Sequence, residues 1–154
     1  MSMEDYDKAL RLGQKKYREQ ASSGNYPYLP VLDDLLAQTD IESRTNLGTI
    51  DIPLDLIVGT STEGRTTAFA SNFMPLLEEK SEFATKWSLL VDALLEEGQR
   101  DPVIAYEFMG KYYIVEGNKR VSVSKYIGAV SVYGTVTRLV PKRSDDPEIN
   151  LYYR

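Results

Sequence analysis

"IVEGNKRVSVSKYIGA" runs from Ile114 to Ala129. Ile114 and Val115 are β-branched and lead into an acid, a glycine, an amide and two cations, Glu116-Gly117-Asn118-Lys119-Arg120. A helix-like stretch then ends at Gly128-Ala129. The pattern predicts a strand that becomes a helix within a few residues. Asn118 is placed as the N-cap, because its side-chain oxygen can accept a first-turn N–H. Gly117 allows a backbone angle that a side chain forbids, or lets a ligand come close. A helix start exposes N–H donors and a partial positive charge, which favour an anion. Lys119 and Arg120 add two full charges at the end of the helix that cations disfavour. A local choice against stability points to function. The chemistry is that of an anion site, for phosphate. Glu116, on the strand side, is placed to hold a magnesium ion or to orient a cation. The plain alternative is an ordinary strand-to-helix connector with Lys119 and Arg120 solvated.

Before this stretch, Val103 to Phe108 and Lys111 to Val115 read as strands joined by a tight turn at Met109-Gly110. After it, "VSVYGTVTRLV" (Val130 to Val140) alternates, with Val130, Val132 and Val136 on one face, as a strand does. Upstream, "SEFATKWSLLVDALLEEG" is the clearest helix: Phe83, Trp87, Leu90, Val91 and Leu94 follow the 3.6-residue period and Gly98 supplies the stop. Trp87 is therefore core. "GTIDIPLDLIVG" (Gly48 to Gly59) reads as a strand with Pro53 inside it, hence an edge strand or a strand followed by a turn. "TSTEGRTTAFASNF" (Thr60 to Phe73) is small and polar and reads as a loop. At the N-terminus, Glu4 to Ser22 is a charged helix with Tyr6, Leu10 and Tyr17 along one stripe, weakened by Gly13. Val31 to Gln38 is a short second helix. The tail "PKRSDDPEINLYYR" starts as a polar loop and ends on apolar residues, which points to a polypeptide that continues past Arg154.

The 154 residues fit one domain, and 42% hydrophobic with 27% charged residues is a globular composition. No apolar run approaches the roughly 20 residues a membrane helix needs. The N-terminus lacks the apolar core of a secretory signal, so the expected location is cytoplasmic. There is no Cys and no His. That excludes disulfides, thiol nucleophiles, Ser-His-Asp catalysis and zinc sites built on Cys or His. The net charge of −5 does not fit a DNA-binding surface spread over the whole molecule. From Gly98 to Arg143, however, eight Lys or Arg face three acids, whereas the remainder carries ten cations and twenty acids. A local anion partner fits the basic part.

From Gly48 to Val140 the order of elements resembles the ParB N-terminal domain and sulfiredoxin superfamily. "IDIPLDLIVG" resembles its opening strand, and "LLEEGQRDPVIAYEF" its join of helix, Gly, Pro and strand. "YYIVEGNKRVSVSKYIGAVSVYGTV" resembles its signature, a strand entering a Gly-x-x-Arg turn, a helix ending at Gly, and a strand. The resemblance implies an α/β (α+β) fold, a mixed sheet with packed helices over residues 46–141. Residues 1–45 would be an added N-terminal helical extension and 142–154 a tail. It also implies that Gly117 and Arg120 contact nucleotide phosphates, with Asn118 and Lys119 at the variable positions of the turn. Arg65, in "EGRTTAF", resembles a second phosphate contact.

Two departures limit this. Sulfiredoxins carry a catalytic cysteine in the turn, where this chain has Asn118, so that chemistry is excluded. CTP-binding partition proteins use a following helical DNA-reading domain, and only a short stretch follows Val140. The implied function is a nucleotide- or phosphate-binding ParB-like module of a bacterial DNA-associated regulatory protein, a transcriptional regulator or partition-type protein. Its implied ligand is a nucleotide with Mg2+. DNA would be reached through a further region or a partner, and a second copy of the chain is a candidate partner. One alternative is a magnesium-dependent phosphotransferase or nuclease with Glu116 as metal ligand or catalytic base. The other is a non-catalytic interaction scaffold.

Overall fold

A hairpin in the middle of the chain organises the sheet. The computed structural model describes residues 3–62, 64 and 66–154. In it β3 (Val103–Phe108) and β4 (Lys111–Glu116) pair antiparallel across Met109-Gly110. Both turn residues have positive φ, 52° and 84°, as the tight hairpin turn with matching twist requires. The buried Glu107 carboxylate accepts the Gly110 N–H at 2.8 Å and the Arg138 Nε–H at 2.5 Å, so it is satisfied from two sides.

Around the hairpin, β5 (Ser131–Pro141) runs parallel to β3, and β1 (Ile41–Pro53) lies antiparallel on β5. On the other side β2 (Ile57–Thr60) runs parallel to β4. The order is β1-β5-β3-β4-β2, a five-stranded mixed sheet. With its packed helices this is the α/β class expected from the sequence. Pro53 ends β1 on the sheet edge, where the missing N–H costs no ladder bond.

One face carries α1 (Glu4–Ser22), α3 (Glu82–Glu97) and α4 (Asn118–Tyr126). Tyr6, Leu10, Trp87, Val91 and Val121 meet Val103 and Ile114 of the sheet in one core. Tyr6 and Trp87 stack edge to face at 5.4 Å, so α1 shares the central core. On the opposite face Leu32 of α2 (Leu32–Leu36) joins Phe108, Tyr113 and Leu139 in a smaller cluster. A last helix, α5 (Pro147–Tyr152), lies on the same side, where Leu151 and Tyr152 face Phe108 and Tyr113. Among the described residues no helix is long and apolar enough to cross a membrane.

Three expectations change. The first strand begins at Ile41, not Gly48, and residues 45 and 46 both lie inside it. Its first half is Glu42-Ser43-Arg44-Thr45-Asn46, exposed throughout, so no apolar alternation marks it. The tail is not simply a loop. The Asp146 side chain accepts the N–H groups of Glu148 and Ile149, and Pro147 opens α5. "DPE" is a helix-start signal in its own right, but the helix is too short for a periodicity. The segment from Thr60 to Phe73 holds a 3₁₀ turn at Thr66–Ala68 and puts Phe69 and Phe73 in the main core.

Gly13, which weakens the α1 pattern, has a packing reason. A Cβ there would sit 2.2 Å from the Pro75 carbonyl oxygen. Alanine gains about 1 kcal/mol over glycine in a helix, but overpacking against backbone costs about 1–3 kcal/mol. Gly13→Ala therefore raises helicity in an isolated α1 peptide and lowers the urea midpoint of the protein. Stabilisation of both would show that α1 does not pack against Pro75.

Candidate functional site

The start of α4 is fixed by Gly117. Its φ of 115° lies in the left-handed region, and an added Cβ would come within 2.7 Å of Val103 Cγ1. Glycine is needed here for both its backbone angle and the close pass over β3. The turn from β4 into α4 thus lies where the sequence places it.

The cap differs from expectation. Gly117 is the N-cap, and Val121 N–H is bonded to its carbonyl at 3.0 Å. The N–H groups of Asn118, Lys119 and Arg120 have no partner within the helix, as at any helix start. Asn118, one position inside, points its side chain elsewhere. Its Nδ2 donates to Thr60 Oγ1 at 3.2 Å, and that hydroxyl donates to the Ile114 carbonyl at 3.0 Å. This ties β2, β4 and α4 together. It leaves Asn118 Oδ1 buried and without a hydrogen-bond partner among the described residues.

Glu116, Gly117, Asn118, Lys119 and Arg120 all line one cleft of about 430 Å³. Phe69, Phe83, Leu90 and Val115 form its apolar wall. The Lys119 ammonium lies 5.5 Å from the Phe83 ring centroid, a cation–π distance. Arg120 has a structural duty: its Nη1 donates to the carbonyls of Asp101 at 2.9 Å and Pro102 at 3.2 Å. It therefore clamps the loop between α3 and β3 to the first turn of α4. Its Nη2 lies beside Gly117, 3.2 Å from where a Cβ would be. Arg65, the second expected phosphate contact, lies outside the described residues.

Four contacts hold α4 in place. Trp87 Nε1 donates to Ser122 Oγ at 2.9 Å inside the core, joining α3 to α4. Lys125 Nζ donates to the Ile57 carbonyl at 3.0 Å and lies over Phe73. Burial lowers the Lys125 pKa, and nearby Asp55 partly offsets this. Tyr126 donates to Asp5 Oδ1 at 2.9 Å. Burial first, then that bond and the Asp5 charge, push its hydroxyl up to about 12.

The expected turn residues come together; the apolar wall was not foreseen. Phe83 and Leu90 read as generic core positions of α3, and Phe69 sits in a segment with no period. Nothing local in the sequence says that they share a cleft with Lys119. Among the described residues, no group of three Asp, Glu, Cys or His could hold a metal ion.

No family model matches the chain, and no curated protein matches it. Among solved structures it is similar to sulfiredoxin from Arabidopsis thaliana, at 18% identity and a TM-score of 0.40. That match covers 69% of this chain and 97% of the other. A likeness at this level says nothing about a ligand.

Arg120→Met keeps the length of the stem and removes both loop bonds. Bonds to a charged donor are worth about 1.5–3 kcal/mol when buried. Arg120 is partly exposed, so a loss of about 1–2 kcal/mol is expected by urea denaturation with no ligand present. An unchanged midpoint would remove the clamp.

Proposed function

We propose that the cleft in front of α4 binds a nucleotide, with its phosphate on the first turn of α4 and its base against the apolar wall. One observation carries this reading: the five residues from Glu116 to Arg120 line the same cleft as Phe69, Phe83, Leu90 and Val115. A cleft of about 430 Å³ falls within the usual size range of small-molecule sites. Phosphate would take the N–H groups of residues 118–120, the Lys119 charge and the Arg120 donors other than Nη1. Asn118 Oδ1 can only accept, so it suits a ribose hydroxyl, a base N–H or a metal ion. With phosphate present, magnesium needs only one or two protein oxygens, and Glu116 and Asn118 Oδ1 are the hard oxygens at hand. Magnesium would supply charge neutralisation at the phosphate.

The chain then acts as a nucleotide-responsive module of a bacterial DNA-associated regulatory protein, as the Gly-x-x-Arg resemblance implies. With a net charge of −5, DNA contact falls to a further region or a partner. Among the described residues Glu116 is the only acid lining the cleft, which favours binding over turnover. A phosphotransferase or nuclease would need that carboxylate as metal ligand or base.

A thermal-shift screen of ATP, GTP, CTP and pyrophosphate, with and without magnesium, tests the reading. A ligand at about 100 times its dissociation constant stabilises by about 2.7 kcal/mol. Lys119→Ala and Arg120→Ala should each weaken that ligand by about ten- to a hundredfold. Lys142→Ala, in the tail, should change affinity by less than about twofold. Equal losses in all three would mean diffuse electrostatics. No stabilisation by any phosphate compound would leave the scaffold reading. Turnover abolished by Glu116→Gln would favour the enzyme.

A further inference from the structure

The other face of the sheet carries an unexplained groove. Two adjoining clefts, of about 490 and 340 Å³, share Leu35, Phe108, Met109 and Glu148. They run between α2 and α5 across the tip of the β3–β4 hairpin. Leu35 is 45% and Leu151 65% exposed on the two banks, a large apolar exposure for facing helices.

The groove floor contains a second oddity. Met109 has φ of 52° at the first turn position, where Asn, Asp or Gly is the usual occupant. Side chains other than Gly, Asn and Asp rarely adopt this conformation, and such strain, once observed, motivates a search for function. The Met109 side chain lines both clefts. A thioether on a flexible stem is suited to an adaptable binding surface. Glu107 holds the strained turn closed through Gly110 and is itself held by Arg138.

The rim is acidic. Among the described residues that line the two clefts, Asp34, Asp146 and Glu148 stand against Lys111. Asp146 already caps α5 through its Oδ1, so it is fixed in place on the rim. Negative charge around an apolar floor is complementary to apolar side chains flanked by cations.

We infer that this groove docks a partner protein segment that presents apolar side chains flanked by Lys or Arg. Leu35, Phe108, Met109 and Leu151 take the apolar side chains. Asp34 and Glu148 face the cations and set the partner's orientation. The groove lies on the opposite face of the sheet from the α4 cleft and shares no lining residue with it.

Two synthetic 16-residue amphipathic peptides test this, with identical leucine positions and either Lys or Glu at the polar positions. Each is labelled and titrated by fluorescence anisotropy with the full chain at fixed moderate salt. The Lys peptide should bind at least tenfold more tightly than the Glu peptide. Leu35→Ser with Leu151→Ser, both exposed and safe for folding, should weaken it at least tenfold. Asp34→Asn with Glu148→Gln should weaken it severalfold, whereas Glu96→Gln with Glu97→Gln on α3 should not. Met109→Asn should raise the melting temperature and weaken the peptide, the signature of strain kept for binding. Absence of binding, equal binding of the two peptides, or equal losses for the groove and α3 acid variants would overturn the inference. So would a dimer in sedimentation that Leu35→Ser with Leu151→Ser disperses, because the groove would then be filled by a second copy.

Discussion

The left-handed backbone of Gly117, pressed against Val103, is the constraint on which the rest of the site depends. It makes β4 end and α4 begin within one residue, directly over β3. Because the helix starts there, its first turn, with Lys119 and Arg120, meets the ends of Phe69, Phe83 and Leu90. A start one turn later would carry the two cations away from that wall. The Trp87–Ser122, Lys125–Ile57 and Tyr126–Asp5 bonds then fix the rotation and tilt of the helix. The cleft is thus set by backbone geometry and core packing.

Arg120 shows how one residue can serve the fold and the cleft together. A cation at a helix N-terminus is unfavourable by itself. Here the carbonyls of Asp101 and Pro102 offset that cost, and in return the loop into β3 is held against α4. The conflict noticed in the sequence is therefore partly resolved by structure. Lys119 lies over Phe83 and lines the same cleft.

Much of the architecture was legible because it rests on local signals. The α3 period, the Met109-Gly110 turn, the Pro53 edge and the strand–Gly–helix turn each follow from short-range physics. The start of β1 was hidden because its residues are exposed and polar and are held in the sheet by pairing with β5, a contact distant in sequence. The capping role of Gly117 was hidden because Asn118 is also a good N-cap, and Thr60, far along the chain, claims its side chain. The apolar wall of the cleft was invisible for the same reason: it forms only when distant segments meet.

The proposed site puts phosphate on the first turn of α4. Backbone amide shifts of 15N-labelled protein, followed during titration with pyrophosphate and then with the best-stabilising nucleotide, test it most directly. The largest changes are expected at the amides of Asn118, Lys119 and Arg120 for both compounds, with Phe83 and Leu90 responding to the nucleotide alone. Changes centred on another surface, with those three amides unmoved at saturation, would contradict it.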